Sequence, residues 1–158
     1  MHTPQEIARH LRAFYQGPNS AGVNLREALQ GCTWQEATTQ VGDCNTILAL
    51  TFHLHYYPRE VLKVLRGGPL EARDKYSYDH PPIASAQEWE ALLKEVFATA
   101  EAMAQAIEQL PPEKLGEIFV KEAYGNFYQN LHGIIEHAYY HLGQIVLLRK
   151  SIAAAEVK

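Results

Sequence analysis

Cysteine is scarce in this chain: Cys32 and Cys44 are the two among 158 residues, twelve positions apart and in no CxxC arrangement. No disulfide framework is legible in that count, and a reducing cytoplasm is the expected compartment. Long apolar runs are also missing. His, Tyr or a charged residue interrupts each stretch well before the roughly 20 residues needed to cross a bilayer, so no membrane span is expected. The N-terminal MHTPQEIARH lacks the apolar segment of a signal peptide. Basic charge is in deficit, with 14 Lys and Arg against 18 Asp and Glu, a formal charge of -4 and a pI near 6.0. The field of such a molecule repels phosphate backbones, and nucleic acid is not expected as a partner.

What remains is a globular composition, 47% apolar and 20% charged, which excludes disordered and low-complexity classes. The length predicts one domain over residues 1–158, with roughly two thirds of the unfolded chain's surface buried on folding. No strand-length alternation and no internal repeat of 20 to 50 residues is visible outside the helical patterns. Thr3 can cap a first helix through about residue 16, which Gly17-Pro18 ends. Two single turns follow at 24–29 and 33–37, the second with Thr33 and Glu36 in capping-box register. A second long helix is predicted from Asp43 or Asn45 to Arg66, bent at Pro58 and stopped by Gly67-Gly68-Pro69. A third starts after Ser85, with Glu88 in capping-box register, and reaches about Gln109. Residues 113–125 read as a short ordered link, and a fourth helix spans about Asn126 to Ile152, with Phe127, Leu131, Ile134, Ala138, Leu142 and Ile145 on one stripe. The expected fold is all-α: a four-helix bundle whose long connections, between helices one and two and between two and three, are crossovers.

Eight histidines are many for this length. In the fourth helix, His137 and His141 are four residues apart, so their rings lie about 40° apart on the wheel and about 6 Å apart along the axis, placing two imidazoles where they can share a cation. His132 is about 140° and 180° from them and cannot join. In the second helix, His53 falls beside the inward stripe of Leu50, Leu54 and Tyr57, whereas His55 falls on the far side. His53, His137 and His141 are therefore the candidate metal ligands. Three neutral imidazoles suit Zn, Ni, Fe or Cu and leave a position open for water or substrate, as catalytic sites do. Ala138 stands where a zincin has its glutamate, and no Glu-x-x-His of a di-iron bundle occurs. The catalytic and cofactor-binding residues have no assignment from spacing, because Glu136 lies about 100° from His137. Asp74, Tyr76, Tyr78, Asp79 and His80 on the 67–85 loop are candidates for covering the metal, and Tyr57 and Tyr140 for supplying hydroxyls. His2, His10, His55 and His132 receive no role, nor does His80 beyond that cover, and Cys32 and Cys44 read as free thiols away from the site.

Taken together, Asn45-Thr46-Ile47 leading to His53, the stretch Val61 to Leu70 with its Gly-Gly-Pro, the loop Asp74 to Asp79, and Ile134-Ile-Glu-His137-Ala-Tyr-Tyr-His141-Leu-Gly-Gln144-Ile resemble the DinB/YfiT-like superfamily over nearly the whole chain. The resemblance implies a divalent metal, Zn, Ni or Fe, on His53, His137 and His141. It also implies a homodimer, for which the Tyr56-Tyr57 and Tyr139-Tyr140 pairs supply apolar surface on more than one helix face. That superfamily includes thiol-dependent transferases, a mycothiol-dependent isomerase and members with no known reaction. A low-molecular-weight thiol is accordingly an expected co-substrate, with a small electrophile as the other partner; activation of a water, as in a hydrolase, is the other catalytic expectation. A metal- or ligand-binding bundle without turnover is the alternative.

Overall fold

The computed structural model describes residues 3–156 and is all-α; His2 lies outside the described residues. Helix α1 (Pro4–Gln16) opens with a closed capping box, Thr3 Oγ1 accepting from the Glu6 amide and the Glu6 carboxylate from the Thr3 amide. The same device starts α2 (Leu25–Leu29) from Asn24 and Glu27 and α3 (Trp34–Thr38) from Thr33 and Glu36. Helix α4 (Ile47–Leu65) is capped by Thr46, whose hydroxyl accepts from the Ala49 amide, and not by Asp43 or Asn45. Ser85 caps α5 (Ala86–Glu108), but Glu88 reaches past it to the Ala84 amide, so the expected box is half formed. Helix α6 (Phe127–Glu156) runs a turn beyond the expected end and buries Ile135, while Ile134 turns to a cavity wall.

The four long helices pack in a cycle, α1 on α5, α5 on α4, α4 on α6 and α6 on α1. Their directions follow from side-chain contacts. Arg12 of α1 pairs with Glu101 and Glu108, and Gln5 reaches the Glu108 carbonyl while Tyr15 meets Phe97, so α1 and α5 are antiparallel. His10 lies near His132 and Tyr139, and Phe14 near Tyr139, so α1 and α6 run parallel. Leu65 and Arg66 at the end of α4 line one cleft with Ala102, Ala106 and Leu110, which makes α4 parallel to α5. The chain between α4 and α5 must therefore return along the 19-residue α4, about 28 Å at 1.5 Å per residue. That need accounts for the length of the 66–85 connection, the expected crossover. The first connection is different. It joins antiparallel helices that lie diagonally, and carries α2 and α3 without retracing the bundle.

Helix α4 is buried continuously from Ile47 to Tyr56, being flanked by α5, α6 and the crossover. This corrects the outward placement of His55, which is 4% exposed, its Nδ1 without a partner and its imidazolium disfavoured by burial. The tyrosine pairs expected to supply dimer surface are largely used within the chain. Tyr56 is buried against the Arg73 backbone and Tyr139 packs edge-on against Phe14, while Tyr140 stays 66% exposed. Helix α4 also runs without interruption through Pro58. A proline lacks the amide that would bind the carbonyl four residues earlier, here Leu54. That carbonyl accepts instead from the Tyr15 hydroxyl at 3.0 Å, a bond from the diagonal helix that fills the gap in the ladder.

Candidate metal centre

His53 projects from the buried middle of α4, and His137 and His141 from successive turns of α6. Their potential ligand atoms all lie within 4.8 Å of one another. His53 and His141 are buried and His137 is exposed, so the cluster has an inner wall and an open side. Two of the imidazoles are oriented by a second bond. His53 Nδ1 lies 3.2 Å from the Ser77 carbonyl and His141 Nδ1 2.7 Å from Gln144 Oε1. Both partners are acceptors, so each Nδ1 carries the hydrogen and each Nε2 presents a lone pair inward.

This donor set can be tested against a metal ion. His53 Nε2 faces His137 Nε2 at 2.8 Å, a contact that two lone pairs cannot sustain without a proton or a cation between them. Burial holds the His53 imidazolium down to about 4, and the neighbouring His141 and His137 push the same way, against the Ser77 carbonyl and Asp74. Burial also lowers His137, with His141 adding to the shift, and burial lowers His141 against the opposing Gln144 bond. All three are thus kept neutral near pH 7, the form a metal requires. Imidazole nitrogens sharing a tetrahedral ion at about 2.0–2.1 Å sit about 3 to 3.5 Å apart, within the span found here. The residues fit a divalent transition metal.

The crossover loop does not form a loose cover. Tyr56 Oη accepts from the Arg73 amide at 2.8 Å and donates to its carbonyl, Tyr57 Oη donates to Asp74 Oδ1 at 2.7 Å, and Ser77 engages His53. Residues 73–77 are thereby fastened to α4, and Tyr78 stacks flat on the His53 ring, centroids 4.1 Å apart and planes within 7°. The loop braces the centre through these bonded and stacked contacts. Tyr57 stands edge-on to His53, and burial together with the Asp74 bond pushes its phenol up to about 12. Tyr140 lies edge-on to His141. Tyr76 is exposed with its ring under Lys75, Asp79 is exposed, and His80 sits by Phe52, so these three loop candidates have no part in the cluster. Cys32 is buried in the α2–α3 turn with its thiol pushed up by burial, and Cys44 is exposed; both are free.

Beside His53 and His137, a cavity of about 310 Å³ opens between α4 and α6. Sequence reasoning missed it because Tyr124, from the 113–125 link, and Tyr15, from α1, close its walls. The link is shaped by Phe119 donating to the Gly125 carbonyl and Phe127 to that of Glu117. Gly125 has φ +72, and a Cβ there would lie 2.2 Å from Gln129 Oε1, the atom that caps the Asn126 amide. Ser77 was likewise invisible, 24 residues from His53 with no periodicity linking them. Gln144 was not: three residues after His141, it shares that face of the helix.

Among the described residues no helix is long and apolar enough to cross a membrane. No curated protein and no solved structure matches the chain. The sequence model of the DinB superfamily matches residues 20–145, a span that holds the three histidines, the crossover and the cavity walls of α4 and α6. With most of its length and its whole histidine cluster inside that match, the chain belongs to the DinB superfamily.

Proposed function

We propose that this protein is a metal-dependent enzyme that transfers a low-molecular-weight thiol to a small electrophile, with His53, His137 and His141 holding one Zn, Ni or Fe ion. The observation that carries the reading is the convergence of three neutral imidazoles, one of them exposed, at the mouth of a cavity of small-molecule size. A divalent cation at such a site supplies Lewis acidity, which favours thiolate over thiol near neutral pH. Ser77 and Gln144 fix the tautomers of His53 and His141, so those two lone pairs need no rearrangement to converge. Tyr57 and Asp74 give the centre the proton route that spacing did not reveal. As a thiol proton arrives at Tyr57 Oη, the phenolic proton passes to Asp74 Oδ1, to which it is already bonded. Tyr78 covers one face of the His53 ring and His137 is the exposed ligand, so approach is from the side of His137.

The test is a panel of electrophiles offered to the metal-loaded protein with glutathione, bacillithiol or mycothiol, beside the His53→Ala variant. Thiol consumption by the wild type alone supports the transferase. Equal background rates in both proteins, with metal bound by the wild type, favour a binding bundle without turnover. That second reading draws on the absence of any carboxylate in the three-histidine cluster itself.

A further inference from the structure

The space between α4 and α6 has a chemistry of its own. Pro58 on one helix faces the turn of α6 that carries Gly133, and a Cβ built on Gly133 meets nothing within 4 Å. Small residues on both helices leave a gap that the neighbouring side chains do not fill. Among the described residues lining it there is no Lys, Arg, Asp or Glu, and most of the wall is apolar. At one end stand His53 and His137. At the other stands Asn130, one of whose neighbours is Tyr124. Asn130 Nδ2 donates to the carbonyls of Tyr124 and Asn126, which uses both of its hydrogens and leaves Oδ1 as an acceptor with no protein donor. Asn130 and His137 are seven residues apart, about 10.5 Å along the axis of α6.

We propose that this cavity binds the uncharged partner of the reaction: a small, mostly apolar molecule with one hydrogen-bond donor, lying along α6 with its donor on Asn130 Oδ1 and its other end at His53 and His137. The inference deepens the transferase reading and rests on it for the role of the ligand, though not for the existence of the site. In the metal-free protein a charged group inside the cavity would be desolvated with no counter-ion among the lining residues, which is unfavourable against an apolar wall. Thiols of the glutathione type carry carboxylates, and these are excluded from the cavity to the exposed side of His137. The two substrates are thus sorted by charge.

Three para-substituted ethylbenzenes test the proposal: 4-ethylphenol, 4-ethylanisole and 4-ethylbenzoate, titrated by calorimetry and ligand-observed NMR into the full chain, both chelator-treated and zinc-loaded. The phenol is expected to bind the metal-free protein, the anisole at least fivefold more weakly for want of the donor, and the benzoate at least tenfold more weakly. Gly133→Leu, whose side chain grows into the cavity, is expected to abolish phenol binding while zinc uptake stays within twofold of wild type. Benzoate binding equal to the phenol's, no phenol binding at millimolar concentration, or undiminished phenol binding by a folded Gly133→Leu would each overturn the site. Zinc uptake on the same samples separates the two claims. Phenol binding without zinc uptake refutes the metal centre alone, and zinc uptake without phenol binding refutes the cavity alone.

Discussion

Replacing Gln144 with leucine keeps the bulk of a half-buried side chain and removes a single acceptor from the proposed metal centre. His141 Nδ1 then loses its 2.7 Å partner, and because His141 is 5% exposed, water replaces it poorly. Two consequences follow. The metal-free fold keeps a buried N–H without an acceptor, a loss of about 1–3 kcal/mol. The ring is also released to take the other tautomer, in which Nε2 carries the hydrogen and cannot ligate. Loss of such an orienting partner typically weakens metal affinity by about 10- to 100-fold, or 1.4 to 2.7 kcal/mol. Gln144→Glu should act in the opposite sense, since a carboxylate accepts the same hydrogen more strongly and raises the basicity of the ligating nitrogen. Competition against a zinc chelator at pH 7.5 measures both variants, and urea unfolding of the metal-free proteins measures the stability cost. If the Leu and Glu variants changed zinc affinity equally, or neither by more than threefold, the orienting role of Gln144 would be refuted.

The Tyr15 to Leu54 bond should be coupled to Pro58: Tyr15→Phe is expected to cost about 1–2 kcal/mol in the native background and close to nothing beside Pro58→Ala, where the helix supplies its own amide. Urea unfolding of the four proteins closes the cycle, and an interaction energy below about 0.3 kcal/mol would contradict the account. The metal-free protein should lose stability as pH falls. The native His53 titrates near 4 against about 6.5 unfolded, so its contribution is present above 6.5, declines as the unfolded state takes up the proton, and is lost by about pH 4, up to about 3 kcal/mol in all. His137 and His141 face it and shift the same way, Asp74 opposes, and Tyr57 and Tyr78 remain neutral throughout this range. His53→Phe should flatten that dependence in a pH series of urea midpoints. Gly125→Ala, forced to positive φ and against Gln129, should cost at least 1 kcal/mol in the same assay and free Tyr124 for faster proteolysis at the 119–125 turn.

The long helices and the ligand pair of α6 were legible because both depend on one local rule, the rotation of a helix per residue. His53 was legible for the same reason, as a neighbour of Leu50 and Tyr57 on one column. His55 was misplaced because a wheel assumes an exposed side, and α4 has none along its first ten residues. The orienting Ser77 carbonyl, the Asp74 to Tyr57 bond and the Tyr15 to Leu54 bond join residues 17 to 39 positions apart. Such contacts are set by how helices pack and where loops return, which no local pattern encodes. The cavity was hidden more deeply still. It is defined by what is small, Pro58 and Gly133, on two helices whose pairing spacing alone does not give.

His53 and His137 meet across 84 residues of chain, so a cation gripped by both closes a loop that includes α5, the crossover and most of α4. In polymer terms this is a reversible cross-link. A permanent one over that span would remove about 4.5 kcal/mol worth of freedom from the unfolded ensemble. Because the clasp joins α4 to α6, it can form only once those two helices have met. Metal retention would therefore report the docking of α6 on α4, and loss of the ion in a chelating medium would loosen those two helices from one another.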